Sequence, residues 1–313
     1  MKVYQDCRLC GRNCGVNREA GEIGICGETG EMRIALASIH HGEEPVLTGE
    51  GGSGTVFFSG CSLRCYFCQN HQVSQEGVGK TASPEDLAEI CIALQKNGAS
   101  NINLVTGTHF IPSIAEGLEI ARNKGLTLPV LWNSSGYEKP EYLSLLSEVT
   151  VFLPDLKTLD PKLSEGIFHA PDYPEFAAAC VKWMAENRSI QYSDSLLQQG
   201  LIVRHLVLPG QLESTRGMLQ WFSKNCKGKA LLSLMVQYTP MERDRRKPEL
   251  VPDSRIDFIE YDRIIGLLEE YDIEDGFVQE LDVEDTWLPD FCQENPFPSS
   301  MSRVVWSWQK GFV

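Results

Sequence analysis

The stretch Phe57-Phe58-Ser59-Gly60-Cys61-Ser62-Leu63-Arg64-Cys65-Tyr66-Phe67-Cys68-Gln69-Asn70 runs from an apolar, β-prone segment into three cysteines spaced C-x3-C-x2-C. With Thr55 and Val56 ahead of it, the first half reads as a buried strand, so the cysteines fall on the loop that leaves its C-terminal end. Downstream, apolar runs rich in β-branched residues alternate with stretches of helical period, the pattern of a parallel sheet with crossover helices. Strands are expected at Thr55–Ser59, Asn101–Thr106, Pro129–Asn133, Val151–Leu156, Leu201–Leu208 and Ala230–Gln237, with a weaker seventh at Phe277–Leu281. The first intervening helix is strongly punctuated by Ser83 as N-cap, Pro84 at its first position, acidic Glu85 and Asp86, and Gly98 as terminator. Its apolar face, Leu87, Ile90, Cys91 and Leu94, makes Cys91 a packing residue. Further helices are read at Pro112–Lys124, Pro174–Glu186, Leu212–Lys224 and Arg255–Glu269. The class is therefore α/β.

Composition narrows the function. A formal charge of −15 over 313 residues repels a phosphate backbone, so nucleic acid is not an expected partner. No apolar run approaches the roughly 20 residues that span a bilayer, and Met1–Gly11 is polar, so a cytoplasmic protein with no membrane partner is expected. Eleven cysteines without an export signal point to thiols kept reduced for metal binding, and seven of them precede residue 70.

A cube of four irons takes four thiolates; three closely spaced ones leave one iron open to a cofactor or substrate. Zinc is the competing reading of Cys61, Cys65 and Cys68, with His71 as fourth ligand. The strand ahead of the triplet and aromatic Phe67 before its last cysteine resemble the signature of the radical S-adenosylmethionine (radical SAM) superfamily. That resemblance implies a partial (β/α)6-type TIM barrel with a small Cys-rich N-terminal segment. It also implies a 4Fe-4S cluster on the three cysteines, S-adenosylmethionine chelated to the open iron, and a low-potential electron donor. One electron then yields a 5′-deoxyadenosyl radical, and Phe67 contacts the adenine.

Across nearly the whole chain the sequence is also similar to the group around pyruvate formate-lyase activating enzyme, in its branch with an N-terminal cysteine cluster. The segments Asn101–His109, Trp132–Tyr137, Leu153–Lys157, Ala170–Tyr173 and Arg204–Gly210 carry this likeness. By resemblance, Thr106, Gly107 and Thr108 stand where a Gly-Gly-Glu motif binds the cofactor's amino group, without its glutamate. Asp155 and Lys157 match an Asp-x-Lys motif, the lysine for the cofactor carboxylate and the aspartate for a monovalent cation; a strand-end ion pair is the structural alternative. Asn133, Ser134 and Ser135 offer short oxygen ligands or simply a turn, and Arg204 meets the cofactor or snorkels. The lone histidines His109, His169 and His205 read as structural groups. A late histidine typical of the activating enzymes is replaced by Gln237-Tyr238-Thr239-Pro240.

Cys7, Cys10, Cys14 and Cys26, spaced C-x2-C-x3-C-x11-C, form a second metal site, and both a four-cysteine zinc and an accessory iron–sulfur cluster fit. The organisation is then 1–54 a Cys-rich metal-binding segment, 55–281 the partial barrel, and 282–313 an irregular tail. The tail's Trp287, Phe291, Phe297, Trp306 and Trp308 are expected to pack on the barrel, and residues 188–200 to form a surface insertion. The leading function is radical generation, either as a glycyl-radical-enzyme activase or directly on a small molecule or peptide. An iron–sulfur electron carrier and a zinc-stabilised interaction module are the readings of another class; neither needs a cofactor-sized barrel.

Overall fold

The computed structural model describes residues 3–243, 246–281 and 288–313. An antiparallel strand, β1 (Arg33–His40), opens the sheet. Seven parallel strands then follow in chain order: β2 (Ser53–Phe58), β3 (Asn101–Val105), β4 (Val130–Ser134), β5 (Val149–Pro154), β6 (Leu196–Leu206), β7 (Leu231–Met235) and β8 (Gly276–Val278). Beyond β1 the edge continues antiparallel through β9 (Ser302–Ser307) and β10 (Gly311–Phe312), giving the order β8-β7-β6-β5-β4-β3-β2-β1-β9-β10 in one open sheet. Parallel neighbours require crossovers, and the main ones are α1 (Pro84–Lys96), α2 (Ile111–Asn123), α3 (Pro161–Phe168), α4 (Tyr173–Asn187), α5 (Leu212–Asn225) and α6 (Phe258–Glu270). The fold is the expected α/β partial barrel with its sheet not closed.

Local chemistry explains the elements. At the start of α1 the Ser83 hydroxyl accepts from the Asp86 amide at 3.1 Å and the Asp86 carboxylate accepts from the Ser83 amide at 2.8 Å. Leu87, Ile90, Cys91 and Leu94 on that helix are fully buried. Strand alternation separates two faces. Val130, Trp132, Phe152 and Val203 join the large core beneath the helices. Leu131, Val151, Leu153, Ile202 and Leu231 face inward, and there they close around Leu47.

Leu47 belongs to a single helical turn, Pro45–Thr48, in the β1–β2 connection. Its carbonyl accepts from Asn101 Nδ2 at 2.7 Å, and that of Thr48 accepts from Ser100 Oγ at 2.9 Å. The turn plugs the bottom of the barrel. Residues 1–54, expected as a Cys-rich metal-binding segment, also supply a strand and the plug. Two expectations need correcting. The tail is not irregular throughout, because β9 pairs with β1. Residues 188–200 are only partly an insertion: Leu196–Gly200 opens β6, while the exposed Gln191–Ser193 pairs back on it.

The tail does pack inward. Phe291 lies edge-on to Phe57 with centroids 5.3 Å apart, and Phe297 stands 5.8 Å from Phe57. Trp287 lies outside the described residues. Arg18 pins the N-terminal segment to the barrel. It is buried between the rings of Tyr4 and Phe110, and it donates to the carbonyls of Glu28, Thr29 and His109.

Two histidines serve the frame. His109 donates Nε2–H to the Ser59 carbonyl at 2.6 Å. His205 donates Nδ1–H to the Leu156 carbonyl at 2.7 Å and accepts from Thr215 Oγ1 at 3.1 Å. Burial disfavours their charged forms, taking His109 to about 3 and His205 to about 4. With the folded-state value below the unfolded one, the unfolded chain binds more protons between these values, so stability is present above about pH 6.5 and lost as pH falls toward 4. Denaturant titrations should show a decline of roughly 3 kcal/mol from His205 alone between pH 7 and 4, with a shallower slope in His205→Gln.

Candidate active site

The loop after β2 begins at Gly60, which adopts φ +83°. A Cβ there would lie 2.5 Å from Glu28 Cγ and 2.8 Å from the Cys26 carbonyl oxygen, so only glycine fits. The next amide, Cys61 N–H, donates to that same Cys26 carbonyl at 3.2 Å. Cys65 and Phe67 are buried, and Cys68 Sγ lies 3.3 Å from Ser74 Oγ. Phe67 is held edge-on by Phe168 and Tyr238 at centroid distances of 6.2 and 5.6 Å.

All three cysteines line a cavity of about 350 Å³ at the C-terminal ends of the parallel strands. Register explains the convergence. Phe57 pairs with Val105, Val105 with Asn133, and Asn133 with Leu153, which sets the ends of β2 to β5 level. A further bridge joins Asp155 to Arg204. The same cavity receives Phe67, Thr106, Asn133, Ser134, Ser135, Asp155, Lys157 and Arg204. Gly107 and Thr108 are not on its wall. Gly107 sits against Ile114 and Trp132, and the buried Thr108 donates its hydroxyl to Glu138 at 2.5 Å. Thr106, at φ +62°, is the member of that motif that reaches the cavity.

Charge is concentrated on the inner face. Lys157 Nζ is 2.8 Å from Asp155 Oδ2. Arg204 is 3.2 Å from Glu43, 3.4 Å from Glu44 and 4.0 Å from Asp155. Glu43 and Glu44 arrive on the plug, from the far side of the sheet in sequence, and the sequence reading missed them. Their only signal is a charged pair next to Pro45, which looks like an ordinary loop. Glu138 was missed too; it is fully buried and its carboxyl is raised by that burial, with Thr108, Ser134 and Cys180 opposing as donors.

Burial works against the charge of Lys157, but Asp155 and Cys65 outweigh it and hold the ammonium well above the ordinary lysine range. Burial likewise pushes the Cys65 thiol far up, with Lys157 opposing. Among the described residues no three His, Cys, Asp or Glu side chains close on one point as they would around a single metal ion. The donor chemistry nonetheless fits an iron–sulfur cluster with an open corner: three thiols on one cavity wall, ionised on meeting iron, and a lysine nearby.

Cys7, Cys10, Cys14 and Cys26 lie outside this cavity, behind the loop that carries Cys61. Tight turns gather them: the Gly15 amide donates to the Cys7 carbonyl at 2.9 Å and the Asn13 amide to that of Cys10 at 3.1 Å. Burial pushes the Cys10 thiol up to about 12, with Cys26, Cys14 and Cys7 adding to the shift.

The family model described as the Radical SAM superfamily matches residues 55–220. An uncharacterized protein of Methanocaldococcus jannaschii, MJ0674, is 29% identical over 278 residues, 86% of this chain and 75% of that protein. The solved structure of Streptococcus suis SuiB bound to S-adenosylmethionine is similar with a TM-score of 0.50 at 15% identity, over 70% of this chain and 48% of that one. A radical SAM methyltransferase from Sphaerobacter thermophilus gives 0.51 at 13% identity, over 72% of this chain and 66% of that one. The chain thus spans about half the length of SuiB, and at these identities the likeness is one of fold.

The ion cluster on the inner face makes a stability test. Replacing Arg204 by Met leaves Glu43 and Glu44 buried without their cation, and chemical denaturation should show a loss of about 3–5 kcal/mol.

Proposed function

The chain belongs to the radical SAM superfamily, and from that premise we propose that Cys61, Cys65 and Cys68 hold its 4Fe-4S cluster and that the adjoining cavity binds S-adenosylmethionine. The observation that carries the assignment is that one cavity collects the three thiols together with Asp155 and Lys157. A cluster held there would, with a low-potential donor, supply the electron for reductive cleavage of S-adenosylmethionine to methionine and a 5′-deoxyadenosyl radical able to abstract hydrogen from a substrate.

The protein's part is binding, orientation and dryness. Lys157, kept protonated by Asp155, offers its ammonium to the cofactor carboxylate. Thr106, Asn133, Ser134 and Ser135 present short polar groups at strand ends, and Phe67 offers a ring to the adenine. Asp155 keeps its second oxygen toward Arg204, and a monovalent cation beside it remains a proposal from resemblance. Phe57, Phe297 and Met301 wall the cavity with apolar surface, which shields a reactive radical from water.

A substrate able to enter this cavity, a small molecule or a peptide side chain, is placed ahead of a glycyl-radical partner enzyme. The activase reading rests on resemblance, and the segment Gln237-Tyr238-Thr239-Pro240, which lacks the late histidine typical of the activating enzymes, counts against it. No helix among the described residues is long and apolar enough to cross a membrane. The N-terminal four cysteines are proposed as a separate metal centre, zinc or an accessory cluster.

Anaerobically reconstituted protein should turn brown and release 5′-deoxyadenosine when reduced with S-adenosylmethionine. In Cys65→Ala the nucleoside should fall to the no-enzyme level, and undiminished release would refute the assignment. A variant with Cys61, Cys65 and Cys68 all changed to Ala should still retain metal by elemental analysis. Iron would identify an accessory cluster, zinc a structural staple, and a metal-free protein would overturn the second centre.

A further inference from the structure

The floor of the cavity carries charge that cofactor binding does not use. Glu43 and Glu44 face Arg204, so among these three residues carboxylates exceed cations by one, and burial raises the Glu43 carboxyl with Arg204 opposing. His40, on the same wall, adds no positive charge near neutrality because burial takes it down to about 4. A buried excess of one sign calls for a partner.

The unpaired atoms identify where that partner would sit. Glu43 is 10% exposed and lines the cavity. Its Oε2 accepts from Arg204 Nη1 at 3.2 Å, while no donor among the described residues reaches its Oε1. Glu44 Oε2 is also buried without a hydrogen-bond partner among the described residues, while Glu44 Oε1 lies 3.4 Å from Arg204 Nε. Along β6 the inward residues are Ile202, Arg204 and Leu206: Ile202 packs on the plug, and Leu206, paired with Met235 of β7, stands one inward step nearer the strand ends. Anything arriving from the cysteine level therefore passes two apolar side chains before it meets Glu43.

We propose that Glu43 is the counter-charge for a cationic end of the substrate, an ammonium or guanidinium carried on an aliphatic stem that lies against Leu206 and Met235. Such a group supplies the donor that Oε1 lacks and balances the floor, whereas a carboxylate would enlarge the excess. This rests on the radical SAM reading for the identity of the ligand as substrate, but the subsite itself is built from Glu43, Arg204 and the plug.

The test uses reconstituted enzyme with S-adenosylmethionine and three probes of one length, n-pentylamine, n-pentanol and pentanoate, with binding followed by ligand-detected NMR. The amine should bind at least tenfold more tightly than the alcohol, about 1.4 kcal/mol, and pentanoate should not bind. The preference should vanish in Glu43→Gln and return in part in Glu43→Asp. Glu44 and Asp155 still flank Arg204 in both variants, so thermal midpoint and cofactor affinity should stay unchanged. Equal binding of amine and alcohol, a preference that survives Glu43→Gln, or no binding of any probe would overturn the proposal. So would displacement of the amine by potassium chloride at equal concentration but not by the tetramethylammonium salt, which would assign the floor to an inorganic cation. Failure of the wild-type protein to bind S-adenosylmethionine, measured on the same sample, would instead sink the functional reading.

Discussion

A parallel sheet with helices on one side must still fill its other face, and here a single turn does it. Leu47 occupies the bottom of the inner face among Leu131, Val151, Leu153, Ile202 and Leu231. Because the turn is tied to β1 on one side and β2 on the other, its position fixes how far into the barrel Glu43 and Glu44 reach. Arg204 then has two carboxylates waiting on the inner face, and Asp155 at the end of β5 completes its surroundings. The plug sets both the depth of the cavity and the charge at its base. An apolar filling would have given the same closure without that charge, so the polar floor is evidence about the ligand more than about stability.

Most of the parallel sheet was legible because each strand carries its own signal. β-branched runs with turn residues at either end need no partner to be recognised, and the loop after β2 announces itself through its cysteines. What escaped was whatever depends on pairing. β1 and β9 are short strands without clean alternation, in segments dominated by cysteine and glycine or by proline, and their mutual register brings them into this sheet. Leu196–Gly200 was hidden by the polar Gln198 and Gln199, which half-exposed positions tolerate near the bottom of β6.

The site divides in the same way. Cys61, Cys65, Cys68, Asp155 and Lys157 line one cavity at the strand ends; spacing singled out the triplet, whereas the Asp155 and Lys157 pair was read from resemblance, with strand parity only agreeing. Thr108 reads from sequence as part of the same motif as Thr106, but the positive φ of Thr106 turns the chain, and Thr108 ends up serving the buried carboxyl of Glu138. Arg204 was found and its partners were not. An arginine at a strand end can be read from its position, but two glutamates about 160 residues earlier become its partners only through the plug, as the hydrogen bond between Glu43 and Arg204 records a separation of 161.

The N-terminal cysteines bear on the triplet through backbone, whatever they bind. The Cys26 carbonyl receives the Cys61 amide, and Arg12 reaches the Ser62 carbonyl at 2.8 Å and that of Phe168 at 2.6 Å. Phe168 in turn is one of the two rings that hold Phe67. One short segment therefore braces the first cysteine of the triplet and, through Phe168, the ring proposed to meet the adenine. Gly60 allows that approach, since any side chain there would strike Glu28 or Cys26. A radical enzyme needs its cofactor held in one orientation relative to the hydrogen it takes, and a rigid brace behind the cluster loop provides this without adding a group to the cavity. The cavity is left free to be shaped from the opposite side, where the plug places Glu43.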